Sequence, residues 1–277
     1  MRFLRLFPAM LMMLVVTPAN ADVLVLVHGW ASSADTWYES GVLPVLRQNG
    51  WSDAGVVGIS NAGVAHLSPA RGSVQGNRVY RVILPAEAPL IIQSAYLRAE
   101  LEFIHNKNKQ EKITIAAHSA GGVVARMVLV QPGAPKIDTL ITIASPHLGT
   151  SRAIDALNVI DSKPFFCPGP GIDFVKSMVG GEKYQYLKYS RGVIRDLLPA
   201  GSEGALSWLN RQKHPDIRYY SVIKSLSQNN GDEMVPGFSQ DLNQVPSIQN
   251  RAKVYVTHSG HALNPADGQL LAKILSQ

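Results

Sequence analysis

Residues 114–128 read TIAAHSAGGVVARMV. An apolar run that ends in one serine among Ala117, Ala120, Gly121 and Gly122, and goes straight on into a second apolar run of helical character, leaves the backbone few options. The first part is continuous and β-branched, as in a strand covered on both faces. The second has the length and composition of a buried helix. The join is a sharp strand-to-helix turn at Ser119. Such a turn crowds the residues two before and two after it, here Ala117 and Gly121, and lifts the serine hydroxyl clear of the sheet. The helix that follows directs its first N–H groups toward the space around that hydroxyl.

Other runs repeat the strand pattern: Val23–Val27, Val79–Leu84, Lys112–Ala117, Thr139–Ala144, Ile217–Ile223 and Ala252–Thr257. Several are continuous rather than alternating, which predicts a mostly parallel sheet with helices on both sides. Helices are predicted over Ala88–Asn108, Gly121–Gln131 and Pro265–Gln277. At 277 residues with 46% apolar side chains, the chain can bury a substantial core. No repeat or Gly/Ser linker divides it, so residues 22–277 are expected to form one domain. The alternation of strand and helix fails between about residues 151 and 214, a stretch too long for a simple crossover. It is expected to be a helical insertion over one end of the sheet. Its apolar residues, among them Phe165, Phe166, Phe174, Tyr186, Leu187 and Trp208, either cover an apolar cleft as a cap or lid, or simply pack the insertion onto the body.

The first 21 residues, MRFLRLFPAMLMMLVVTPANA, combine Arg2 and Arg5, an apolar stretch and a final Ala-Asn-Ala. That is the make-up of an export leader cleaved after Ala21, and the apolar stretch is shorter than the ~20 residues a membrane span requires. A periplasmic or secreted protein is expected. Cys167 is the only cysteine, so the fold is not held by an internal disulfide, and its Pro/Gly-rich setting lacks the geometry of a nucleophile. The net charge of +6 is scattered along the chain without a basic stripe, so nucleic acid is not an expected partner.

A serine hydroxyl reacts only with a base to take its proton, an acid to orient that base, and N–H donors for the oxyanion. One donor is expected from Ala120, the residue after Ser119. The other is expected from Trp30, in the loop after VLVLVHGW, where Gly29 permits a tight turn. His28 is expected to support that loop. Four segments, VLVHGW, AHSAGG, ASPHLGT and GHALNPADGQL, together resemble the α/β-hydrolase family, in particular secreted bacterial lipases and esterases of the type with Ala-x-Ser-x-Gly at the turn. The resemblance spans nearly the whole chain after the leader. It implies the order Ser, acid, His, with Ser119 as nucleophile, Asp232 as acid and His261 as base. It sets aside His147, which precedes the acid, and implies that Ser145–Thr150 line the pocket. Glu233 is the alternative acid and His258 the alternative base; His118 diverges from the serine beside it and is not expected to serve it. The activity implied is carboxylic-ester hydrolysis through an acyl-enzyme on a small-molecule or lipid ester, with transient contact to a lipid interface and neither cofactor nor metal. The same machinery would also serve a phospholipid, thioester or amide hydrolase or an acyltransferase, and a non-catalytic binding protein on this fold is a further alternative.

Overall fold

A computed structural model describes residues 21–70, 74–161, 181–201, 203–227 and 230–277, with the side chains of 181–183 excepted. The leader up to residue 20, Cys167, Phe165, Phe166 and Phe174 lie outside the described residues. The strands are β1 (Val23–Val27), β2 (Ser52–Ser60), β3 (Gly63–Ser68), β4 (Arg78–Val82), β5 (Ile113–His118), β6 (Thr139–Ile143), β7 (Arg218–Lys224) and β8 (Ala252–Thr257). They form an eight-stranded sheet in the order β3-β2-β4-β1-β5-β6-β7-β8, parallel throughout except for the β2–β3 hairpin.

The helices are α1 (Thr36–Glu39), α2 (Val42–Gln48), α3 (Leu90–Lys107), α4 (Ala120–Leu129), α5 (Ser151–Asp161), α6 (Gly181–Tyr189), α7 (Arg191–Asp196), α8 (Ala205–Arg211), α9 (Gly237–Gln240) and α10 (Pro265–Leu275). Strand β1 explains the layering. Val23, Val25 and Val27 face one core, shared with Leu97 and Leu101 of α3 and Val123 and Val124 of α4. Leu24 and Leu26 face the other, shared with Leu43 and Leu46 of α2 and Leu271 and Ile274 of α10. Every residue of β1 is fully buried, at about 1.5–3 kcal/mol for each large apolar side chain removed from water. A strand buried on both faces has no polar positions, and for this reason it reads as a continuous apolar run.

Strands β2 and β3 are additions to the expected sheet. Gly55 and Gly58 interrupt the apolar pattern of β2, and its register with β4 shifts between Asp53 and Gly55. Gly55 has φ +94°, and a Cβ there would clash with the main chain of Ser68 and Pro69. Glycine at a bulge is required by close backbone approach and weakens the strand signal in the sequence. Between 151 and 214 the described residues form α5 to α8 and no strand.

Candidate active site

Ser119 joins β5 to α4 with φ 53° and ψ −132°, a strained conformation for a non-glycine residue. The small residues around it have separate causes. A Cβ on Gly121 would clash with the His28 carbonyl at the end of β1, and one on Gly122 with the Ser145 side chain. Gly29 faces the turn from the opposite side, where a Cβ would stand 2.8 Å from the Ser119 Cβ and 3.0 Å from the His118 carbonyl. The crowding therefore comes from neighbouring strand ends as well as from the turn itself.

Ser119 Oγ lies 2.9 Å from His261 Nε2, and His261 Nδ1 lies 2.9 Å from Asp232 Oδ2. With Nδ1–H donating to the carboxylate, Nε2 is left to accept the serine proton. The Asp232 side chain is fully buried. Its Oδ1 accepts the N–H groups of Met234 at 2.8 Å and Val235 at 2.7 Å, and its Oδ2 also accepts from Gln240 Nε2 at 3.2 Å. Gly231 makes this loop possible: at φ +89°, a Cβ would clash with the main chain of Val235 and Gly237.

The other candidates have different places. Glu233 reaches the main-chain N–H of His261 rather than its ring. His258 is exposed beyond the end of β8. His28 is buried and supports its loop: Nδ1–H donates to the Gly29 carbonyl at 3.0 Å and Nε2 accepts from Leu84 N–H at 3.1 Å. Burial lowers its pKa. His118 sits under the base, its Nε2–H donating to the His261 carbonyl at 2.9 Å. Burial, then the neighbouring His261, holds it well below the usual histidine range. His147 is buried in a separate network, where Nδ1 faces Arg126 Nη1 at 3.4 Å and Nε2–H donates to Thr142 Oγ1 at 3.1 Å.

The backbone N–H groups of Trp30 and Ala120 donate to no acceptor among the described residues. Both residues flank Ser119, one on the β1 loop and one at the first position of α4. Beside them opens a cleft of about 610 Å³ including its mouth. Apart from Ser119, His261, Thr150 and Arg152, its walls are apolar: Trp30, Pro146, Ala153, Ala156, Met234, Val235, and from the insertion Leu187, Ile194 and Leu197. The α7 part of the insertion is fastened to the body. Asp196 accepts the Leu90 N–H at 2.8 Å, the Leu197 carbonyl accepts from Thr150 at 3.0 Å, and Gly192 packs against Pro89. Tyr186 of α6 rests on Trp30, with ring centroids 6.0 Å apart.

Sequence reasoning did not single out Gln240, Lys224 or Arg126. Arg126 is buried on α4 and donates to His214, His147 and Asn210, tying α8 and the Ser145–Thr150 loop to the helix behind Ser119. No motif marks these residues; only the tertiary fold brings them to the site. Among the described residues, no group of three or more His, Cys, Asp or Glu side chains is placed to hold a metal ion.

The sequence pattern of the alpha/beta hydrolase fold family matches residues 22–163, and the chain belongs to that family. Among solved structures, it is similar to the mature form of the lipase BlEst2 from Bacillus licheniformis, with a TM-score of 0.60 and 16% identity over 94% of this chain and 92% of that one. It is also similar to the lin2722 gene product of Listeria innocua (TM-score 0.58, 14% identity, 93% and 95% covered). The Pyrococcus furiosus esterase PF2001 gives a TM-score of 0.53 at 14% identity, with 93% and 81% covered. No curated protein sequence matches the chain.

Proposed function

We propose that the protein is a serine-dependent hydrolase of carboxylic esters with apolar acyl groups. The observation that carries this reading is the unbroken line from Asp232 through His261 to Ser119, each step 2.9 Å, ending on a strained turn that faces an apolar cleft. His261 Nε2 takes the Ser119 proton as Oγ attacks the ester carbonyl carbon. The N–H groups of Trp30 and Ala120 receive the oxyanion, each donor contributing about 3–4 kcal/mol in the transition state. Asp232 holds the imidazole in the required tautomer and stabilises it once protonated. The imidazolium gives its proton to the departing alkoxide. Water, activated by the same histidine, then releases the acid and restores Ser119. No step requires a metal or cofactor. The apolar walls favour a lipid or similar apolar ester over a small polar one, and such substrates imply transient contact with a lipid interface.

Residues 1–21 support export with cleavage after Ala21, for which the N-terminal sequence of secreted material should begin at Asp22. The activity is tested with p-nitrophenyl esters from C2 to C16, wild type beside Ser119→Ala. Turnover by the wild type alone supports the reading, and the chain-length optimum separates esterase from lipase. Fluorophosphonate labelling of Ser119 without turnover of any ester would shift the reading to phospholipids, thioesters, amides or acyl transfer. Absence of labelling would sink the catalytic reading in favour of a binding protein.

A further inference from the structure

Lys224, the last residue of β7, is fully buried and pairs with the buried Asp267 of α10, Nζ to Oδ2, at 2.8 Å. A buried ion pair is weak evidence for stability, since well-packed apolar residues of similar volume serve as well or better. The connections of this pair suggest a more specific purpose. Lys224 Nζ also donates to the Ala262 carbonyl at 2.6 Å, in the residue directly after His261. Asp267 Oδ2 also accepts the Asn264 N–H at 2.8 Å, fixing the start of α10 just beyond the histidine. On the acid side, Gln240 brackets the main chain of Lys224. Its Oε1 accepts the Lys224 N–H at 2.7 Å and its Nε2 donates to the Lys224 carbonyl at 3.0 Å. The same Nε2 reaches Asp232 Oδ2 at 3.2 Å.

One residue thus ties the acid loop through its main chain and the base loop through its side chain. We infer that Lys224, with Asp267, is a positioning residue that holds the Asp232 and His261 loops in register, so that the imidazole meets carboxylate and serine together. Without it, the His261 segment keeps its contacts to Glu233 and His118 but loses the connection to β7. This inference rests on reading His261 as the base.

The test is the double variant Lys224→Met/Asp267→Asn. It removes both charges together, so no lone buried charge remains, and the introduced amide oxygen can still accept the Asn264 N–H. One readout is the low-field proton NMR signal of the His261 Nδ1–H, assigned by its loss in Asp232→Asn. The other is p-nitrophenyl butyrate turnover per fluorophosphonate-titrated site. The expected result is an upfield shift or exchange loss of the signal, with kcat per titrated site down about tenfold or more and KM within about twofold. An unchanged signal with kcat per titrated site within about twofold of wild type would overturn the inference and leave the pair a purely structural role. Should the double variant aggregate, Lys224→Leu/Asp267→Asn, which likewise leaves no lone buried charge, is read in the same two ways. If wild type neither labels nor turns over esters, the hydrolase reading fails, and the NMR comparison still decides the positioning claim.

Discussion

Both carboxylate oxygens of Glu233 lie 3.1 Å from the main-chain nitrogen of His261. Two consecutive acids therefore hold two parts of one histidine: Asp232 its ring, Glu233 its backbone. Asp232→Asn should lower kcat by about 10³–10⁴-fold, because an amide cannot hold the required tautomer. Glu233→Gln keeps an acceptor for the N–H and should stay within about threefold of wild type. Steady-state kinetics on a p-nitrophenyl ester checks the order, and a larger loss at Glu233 than at Asp232 would contradict the assignment of the acid.

Gly29→Ala should damage the oxyanion loop rather than substrate binding. The added methyl would stand 2.8 Å from the Ser119 Cβ, so the loop carrying Trp30 must move away. A displacement near 1 Å costs about 100-fold in such sites. The expected loss falls on kcat, with KM within about threefold, and a pure KM effect would count against Trp30 as an oxyanion donor.

Ala153 and Ala156 of α5 line the cleft. Ala156→Leu places a larger side chain in that wall and should shorten the acyl group accepted. The expected outcome is a fall of about tenfold or more in kcat/KM for C12–C16 esters, with C2 and C4 esters changed by less than about threefold. Equal loss across the series would show that the acyl chain lies elsewhere.

Glu100 of α3 is buried with no well-formed hydrogen bond at either carboxylate oxygen. Burial, offset only in part by the nearby main chain of Ile83, pushes its pKa up to about 9. A carboxyl whose pKa is raised on folding costs the fold nothing where both states hold the proton. Between about pH 4.5 and 9 the unfolded chain gives the proton up and the folded chain does not, so stability falls as pH rises through that window. Glu100→Met removes the penalty. At pH 7 it should gain on the order of 1–3 kcal/mol, or about 2–12 °C in Tm, and should flatten the pH dependence. Thermal melts of both proteins from pH 5 to 9 check this, and parallel curves would refute it.

The parts of this protein legible in its sequence are those where one local requirement dictates residue type. A doubly covered strand such as β1 must be apolar throughout, and Gly29, Gly121 and Gly231 each stand where a side chain would meet backbone. The order Ser119, Asp232, His261 is what the family resemblance implies, and each of the three lies beyond the end of a strand of the same sheet. Strand β2 is hidden by glycines, one of them at a bulge, and β3 by its exposure, which leaves it without an apolar run. Gln240, Lys224 and Arg126 were hidden for a different reason. Each acts through a tertiary contact, 8, 38 and 88 residues along the chain for Gln240, Lys224 and Arg126, and such contacts leave no periodic trace.

The Ser119–His261 contact spans 142 residues, and three residues after the histidine the Asn264 N–H is held by Asp267 in the first turn of α10. During synthesis His261 follows Ser119 by 142 residues. A chain that does not yet include residue 261 carries a serine with no base beside it. The serine therefore meets its base only once the His261 loop has packed beside Asp232 and His118 at the end of the sheet.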